Sequence, residues 1–163
     1  MKGLHFGRLL DVAGPLSVPI AVELVEKTQA VTDPKTQKVR QKSPLTTTEM
    51  LRAMLRVAQQ PVAYRYLLAD SWYASAENLN QVRELGHDFI VALPTSRTVA
   101  LSEVRRGNGE FQALDTLAFP DGQPLRVGLR GGAEAVLVVR QVLPNKDGSQ
   151  GVLYLVSSDT SLT

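Results

Sequence analysis

An acidic residue, Asp70, follows an apolar and aromatic segment in the middle of the chain, where its carboxylate could bind a metal ion. The segment, residues 64–69 (YRYLLA), is typical of a strand, and a helix start follows Asp70 within a few residues. This pattern predicts a carboxylate at the carboxyl end of a buried strand, where open α/β sheets bind their ligands. A buried carboxylate needs a partner, and a divalent metal ion is a common one. The competing interpretation is that Asp70 only caps a turn or the helix.

The residues around Asp70 resemble the second-aspartate segment of insertion-sequence transposases of the DDE type. The sequence LLADSWYASAEN at residues 67–78 carries the closest resemblance. The similarity continues in the same order through residues 88–97, 99–102, 140–143, 145–149 and 153–160, and upstream through residues 3–6 and 19–25. Because it covers nearly the whole chain, it is far more specific than a single motif. The chain therefore resembles the central fragment of such a transposase.

The resemblance implies a fold and a chemistry. Transposases of this type have an RNase H-like catalytic domain, and they cut and join DNA at transposon ends with two divalent metal ions, Mg²⁺ or Mn²⁺. Two aspartates and a glutamate hold these ions through carboxylate oxygens. Asp70 matches the second aspartate, so the resemblance implies that it is a catalytic residue and a metal ligand.

Two of the three catalytic carboxylates have no match in this sequence. The first aspartate would precede Met1, and the glutamate would follow Thr163. One carboxylate cannot hold two metal ions in the reactive geometry, so we expect this fragment to be inactive alone. Two alternatives stay open. One is a non-catalytic DNA-binding or regulatory remnant of a transposase, and the other is an unrelated metal-dependent α/β hydrolase.

The composition is that of a globular chain. Its 163 residues suit one domain with a sizeable core, and the lack of cysteine excludes disulfides and thiolate metal sites. No apolar stretch is long enough to span a membrane, and the N-terminus lacks the apolar segment of a signal peptide. These two features predict a cytoplasmic location with no membrane partner. The net charge of +2 permits a nucleic-acid partner without demanding one.

The first part of the chain predicts a hairpin followed by a loop. Two strands at residues 4–10 and 17–23 should pair as a hairpin around the turn at Gly14 and Pro15. Residues 26–43 are polar and rich in lysine, threonine and glutamine, which predicts an exposed loop.

Alternating helix and strand signals follow the loop. Thr46 and Glu49 form a capping box that starts an amphipathic helix. A strand at residues 64–70, a helix capped by Ser75 and a strand at residues 89–93 come next. The order predicts an α/β fold, with a partial RNase H-like mixed sheet and helices.

Beyond residue 97 the pattern becomes β-rich. Strand-like segments separated by turn residues lie at residues 110–114, 125–129, 134–143 and 152–158, and no helix is predicted. The resembled family carries a β-rich insertion between its second aspartate and its glutamate. We therefore predict two domains, a partial RNase H-like catalytic core at residues 1–96 and a β-rich insertion region at residues 97–163.

Five further side chains are candidates for DNA contacts. Lys38, Arg40 and Lys42 could meet phosphates, although the acidic and neutral residues among them favour a solvated linker. Trp72 could stack on a base or a sugar, although an aromatic residue beside a strand end is more often part of the core. Arg97 follows a strand, and it could contact a phosphate or cap the strand end. The resemblance implies DNA transposon ends as partner, with further copies of the chain in a homo-oligomer.

Overall fold

The computed structural model describes residues 6–58, 63–119 and 123–162. The chain divides into two compact units, Met1–Ala63 and Tyr64–Thr163. In its described part, the first unit holds two β-hairpins and a helix, and the second holds a seven-stranded sheet with short helices. Within the same ranges, no helix has the length and apolar character needed to cross a membrane.

The first hairpin pairs strands β1 (Phe6–Ala13) and β2 (Leu16–Leu24) in antiparallel register. Its turn contains the predicted Gly14, whose φ of 61° costs glycine little because glycine has no Cβ. Helix α1 (Thr47–Ala58) packs against this hairpin. The buried face of α1 consists of apolar residues at helical spacing: Met50, Leu51, Met54, Leu55 and Ala58. The predictions of a hairpin and an amphipathic core helix are confirmed.

The start of α1 is fixed by the predicted capping box. The backbone amide of Thr46 donates to Oε2 of Glu49 at 2.7 Å, and the amide of Glu49 donates to the Thr46 hydroxyl at 3.3 Å. These bonds satisfy amides that have no partner inside the helix. The bonds from Thr46 also hold the pKa of Glu49 below its usual value. The helix start is therefore set by residues that lie next to each other in the sequence.

Residues 26–43 are largely exposed, as predicted, but the prediction that they form a loop is wrong. This segment contains a second antiparallel hairpin, of strands β3 (Gln29–Thr32) and β4 (Val39–Lys42). Every residue of both strands is exposed, so the sequence lacks the apolar alternation by which a half-buried strand is recognised. The pairing is supported by the connecting loop, where Asp33 accepts hydrogen bonds from backbone amides.

The second unit is built on one mixed sheet. Its elements are β5 (Tyr66–Ala69), α2 (Ala76–Glu84), β6 (Asp88–Leu93), β7 (Thr98–Ala100), α3 (Glu103–Gly107), β8 (Gln112–Ala113), β9 (Leu125–Leu129), β10 (Ala135–Pro144) and β11 (Gln150–Ser157). The strands lie in the order β5-β6-β11-β10-β9-β7-β8. Strand β5 runs parallel to β6, and the other neighbouring strands pair antiparallel. The fold is α/β with a mixed sheet, as predicted, and it is compatible with a partial RNase H-like fold.

The second half of the chain differs from its prediction in two places. Strand β7 and helix α3 are present where neither was predicted, and α3 is capped by Ser102, whose hydroxyl accepts the amide of Arg105. Residues 110–114 contribute only the short strand β8. Strands β9, β10 and β11 lie close to their predicted positions, and β11 pairs directly with β6. The domain boundary between residues 96 and 97 stays a prediction.

One face of the sheet forms the core of the second unit together with α2. The buried apolar side chains on this face come from six strands: Leu67, Phe89, Val91, Leu93, Val99, Val127, Leu129, Val136, Val138, Tyr154 and Val156. Helix α2 adds Leu79 and Val82. The hydroxyl of Ser75 caps α2, and Gly86 follows it with a φ of 81°, both as predicted.

The segment after β11 fastens the start of β5 to the rest of the sheet. Oδ2 of Asp159 accepts hydrogen bonds from the Tyr66 hydroxyl at 2.6 Å and from the Arg65 guanidinium at 3.1 Å. Oδ1 accepts the hydroxyl and the amide of Ser161. These donors, the Ser161 and Tyr66 hydroxyls above all, hold the pKa of Asp159 far below its usual range. The bonds therefore favour the ionised carboxylate in the folded chain.

We predict that Asp159→Asn lowers the melting temperature by several degrees at pH 7, because an amide cannot replace a carboxylate that accepts hydrogen bonds at both oxygens. The folded-state pKa lies below the unfolded value of about 3.9. The contribution of the carboxylate is thus present above about pH 4 and is lost as the pH falls toward the folded-state pKa. The difference in melting temperature between wild type and variant should narrow as the pH is lowered, which circular dichroism can measure.

The matched control is Asp115→Asn, which removes a carboxylate from an exposed position in the same unit. This control should keep the melting temperature of the wild type at pH 7. A difference between Asp159→Asn and wild type that stays constant down to about pH 2 would contradict the assignment.

Candidate active site at the end of strand β5

Asp70 directly follows β5 and begins a short 3-10 turn, Ser71–Tyr73. Its Oδ1 accepts a hydrogen bond from the backbone amide of Trp72 at 2.9 Å. The side chain is exposed, and within the described ranges no donor is bonded to its Oδ2. Asp70 therefore caps a turn with one oxygen and keeps the other available. Capping and metal binding do not exclude each other here.

The expectation that Asp70 ends a buried strand is wrong. In the described sheet β5 is an edge strand, and the side chain of Leu68 is 68% exposed. An apolar run shows that a strand packs on one face, but it does not show how many neighbours the strand has. Asp70 still lies at the carboxyl end of β5, since it directly follows Ala69. Strands β5 and β6 run parallel, with Ala69 opposite Val91. The segments that follow these two strands leave the sheet at the same end.

A buried amide fixes the turn that follows Asp70. Asn78, in the first turns of α2, is fully buried, and its Nδ2 donates to the carbonyl of Tyr73 at 3.1 Å. The amide of Asn78 also donates to the capping hydroxyl of Ser75. Sequence reasoning missed Asn78 as a positioning residue. Its place four residues before the buried Val82 puts it on the buried stripe of α2, which is the signal that could have found it.

Trp72 lies on the surface next to Asp70. Its side chain is 76% exposed, whereas the next residue, Tyr73, is half-buried. The interpretation of Trp72 as a core residue is therefore wrong. An exposed indole beside a carboxylate leaves a flat apolar surface that a base or a sugar can cover.

Arg97 lies in the segment after β6, at the same end of the sheet as Asp70. Its backbone closes the turn, since its amide donates to the Pro94 carbonyl and its carbonyl accepts the Leu114 amide, each at 2.9 Å. The guanidinium is half-buried, its Nε has no hydrogen-bond partner, and it forms no ion pair with the described acids. Burial lowers the pKa of Arg97. The backbone of Arg97 therefore caps the strand end, and a contact between its side chain and a phosphate stays a prediction.

The other candidate cations belong to the first unit. Lys38 lies in the loop before β4, and Arg40 and Lys42 lie in β4. All three are exposed. Asp70, Trp72 and Arg97 belong to the second unit.

Two further carboxylates lie at the starts of β5 and β6, the end of these strands opposite to Asp70. Asp159 is bonded to Tyr66 at the start of β5. Asp88 starts β6, and its Oδ1 accepts hydrogen bonds from Arg83 and from the Ser158 hydroxyl. Both acids have structural partners, so neither is available to complete a site with Asp70.

The described residues do not form a two-metal centre by themselves. Among them, no three side chains of histidine, cysteine, aspartate or glutamate lie close enough together to hold a metal ion. Asp70 offers Oδ2 as one hard oxygen ligand, the type that Mg²⁺ and Mn²⁺ prefer. Mg²⁺ is usually held by one or two carboxylates together with waters and substrate phosphates. Asp70 therefore fits one position of such a site and leaves the others to different groups.

Comparison with known families gives one match. Residues 9–108 match the model of a family described as DDE superfamily endonuclease. The match covers more than half of the chain, from β1 to just beyond α3, and it includes Asp70, Trp72 and Arg97. A search of curated proteins finds no match.

Proposed function

The chain belongs to the DDE superfamily endonuclease family, and we propose on that premise that it takes part in cutting and joining DNA at the ends of a transposable element. Membership supports a nuclease or transposase-like function in general, with DNA as the substrate. It leaves no place for an unrelated α/β hydrolase. One observation supports the finer proposal. Asp70 is an exposed carboxylate at the carboxyl end of β5, and only its Oδ1 is hydrogen-bonded to the turn that follows.

Endonucleases of this family use divalent metal ions. We propose that Oδ2 of Asp70 is one ligand of such an ion, Mg²⁺ or Mn²⁺, while Oδ1 keeps its bond to the Trp72 amide. A bound ion supplies Lewis acidity for phosphodiester chemistry. The turn bond limits rotation of the carboxylate and so keeps Oδ2 in one direction. Because one carboxylate cannot hold two ions, we further propose that the chain by itself does not cleave DNA.

Arg97 is proposed to hold a DNA phosphate at the same end of the sheet. Its guanidinium stays charged at neutral pH, and it is half-buried without an acidic partner in the described ranges. A half-buried charge without a partner is costly, as the lowered pKa of Arg97 indicates. A phosphate oxygen bound to the exposed part of the guanidinium would offset this cost.

Trp72 is proposed to stack on a base or a sugar beside that phosphate. Stacking on an aromatic side chain does not depend on the base, since every base has a π-face. This role suits a protein whose chemistry acts on the DNA backbone. It also explains why a large apolar side chain is kept on the surface next to Asp70.

A second candidate is a non-catalytic DNA-binding or regulatory remnant that assembles with further copies of the chain. The cap that Asp70 forms on the Ser71–Tyr73 turn favours it, because this cap gives the residue a purpose that needs no metal ion. In the described sheet no strand lies on the outer side of β5, and Leu68 is exposed beside this edge, so its backbone groups could pair with another copy.

We predict that the purified chain does not cleave or join duplex DNA above background with Mg²⁺ or Mn²⁺. The assay follows a labelled duplex on a denaturing gel, and Asp70→Asn, which keeps the size of the side chain, reveals any contaminating nuclease. Fluorescence anisotropy in the same mixtures confirms that the DNA is bound. Metal-dependent cleavage that Asp70→Asn abolishes would contradict the proposed inactivity and would make Asp70 catalytic in this chain alone.

Trp72 is the single tryptophan of the chain, so intrinsic fluorescence reports on this position alone. We predict that duplex or single-stranded DNA quenches this emission, because bases stack on the indole. Trp72→Ala should cost about 1–3 kcal/mol of binding free energy. Trp72 would be removed from the interface if DNA binding left the emission of the wild type unchanged and Trp72→Ala bound DNA as tightly as the wild type.

A further inference from the structure

The hairpin of β3 and β4 concentrates positive charge that the candidate active site does not use. We name residues 29–42, the two strands and their loop, the basic ribbon. The ribbon contains Lys35, Lys38, Arg40 and Lys42 but only one acid, Asp33. Its net charge is therefore +3, whereas the whole chain carries +2, so the rest of the chain is slightly acidic. The positive charge is local to the ribbon.

The basic ribbon is a regular hairpin whose loop is held by hydrogen bonds. Its strands pair along their whole length. Asp33 closes the loop, since its amide donates to the Lys38 carbonyl at 3.0 Å and its Oδ1 accepts the amides of Lys35 and Thr36. These bonds hold the pKa of Asp33 below its usual value, so the acid stays ionised and occupied by the loop. A solvated linker needs neither paired strands nor a capped turn.

The cations of β4 share one face of the ribbon. Arg40 and Lys42 are two residues apart, and alternate residues of a strand point to the same face. Lys38 has the same parity one position before the strand. The charge of Lys42 contributes to the lowered pKa of Asp33, yet none of the three cations forms a salt bridge with a described acid. The face is thus positive and open to an external anion.

The dimensions of this face suit a DNA backbone. A concavity of about 310 Å³ opens on the ribbon and is lined by Arg40, Lys42, Lys35 and Asp33, among others. Arg40 and Lys42 are two residues apart in β4, which places them about 7 Å apart along the strand, and Lys38 directly precedes the strand. Duplex DNA carries one phosphate per about 3.4 Å of axis on each strand, and its major groove admits a two-stranded ribbon. At this spacing Arg40 and Lys42 can meet different phosphates, and Lys38 is available for a third.

We propose that the basic ribbon is a DNA-binding arm that holds the phosphate backbone of a duplex through Lys38, Arg40 and Lys42. The proposal rests on the proposed function, because that function makes DNA the anionic partner. Contacts between such cations and phosphates position a protein on DNA without reading its sequence. The ribbon therefore supplies affinity and salt dependence, while recognition of an end sequence is left to other residues.

The test measures binding of the full chain to a labelled duplex of arbitrary sequence over a range of salt concentrations. The ribbon variant is K38Q/R40Q/K42Q. The matched control is R126Q/R140Q/K146Q, which removes three cations from exposed positions in the second unit. Each phosphate contact contributes about 0.9 to the slope of log affinity against log salt. We expect the magnitude of this slope to fall by about 2 to 3 in the ribbon variant and by less than about 1 in the control.

A second variant covers the case in which the triple substitution disturbs folding. R40Q/Q41R keeps the composition and net charge but moves one cation to the opposite face of β4. It should weaken binding and lower the slope by about 1. Circular dichroism compares the fold of all variants with that of the wild type.

The outcomes separate the two proposals. If the wild type binds DNA and the ribbon variants bind as tightly with the same slope, the ribbon inference is overturned and the proposed function stands. The ribbon inference is also overturned if both triple variants lose the same amount of affinity and slope, because binding then follows net charge alone. If the wild type does not bind DNA at low salt, the proposed function itself fails.

Discussion

The pairing of β11 with β6 is the constraint on which the second unit depends. Strand β11 lies between β6 and β10, so it joins the β5–β6 pair to the other four strands of the sheet. The residues directly after β11 strengthen this join. The Ser158 hydroxyl accepts the amide of Phe89 and donates to Asp88, and Asp159 holds Tyr66. Losing this contact would release both strands whose carboxyl ends carry the candidate site.

Few residues set the geometry of the candidate site. Asp70 uses one oxygen for its turn and keeps one for a ligand, and the buried Asn78 holds the other end of that turn. Arg97 adds a half-buried cation at the same end of the sheet. The position of Asp70 on an edge strand has a further consequence. Backbone groups along that edge are unpaired in the described sheet, so a strand that paired there would bring its own side chains alongside Asp70.

Local signals in the sequence predicted local structure well. The capping box of Thr46 and Glu49 and the cap at Ser75 act over three residues, so they are visible without tertiary knowledge. Long-range pairing is not visible in this way, which is why β5 was expected to be buried. The ribbon strands were missed because no apolar face marks them, and α3 because it spans only five residues. The importance of Asp70 came from the resemblance, whereas its turn bond and its free oxygen came from the structure.

The central claim is that Asp70 is one ligand of a divalent ion in a centre that this chain does not complete. It is tested most directly by electron paramagnetic resonance of Mn²⁺ titrated into the purified chain. We expect a single weakly bound ion per chain, lost in Asp70→Asn and retained in Asp115→Asn. Two tightly bound ions per chain, no bound ion, or binding that Asp70→Asn leaves unchanged would contradict the claim.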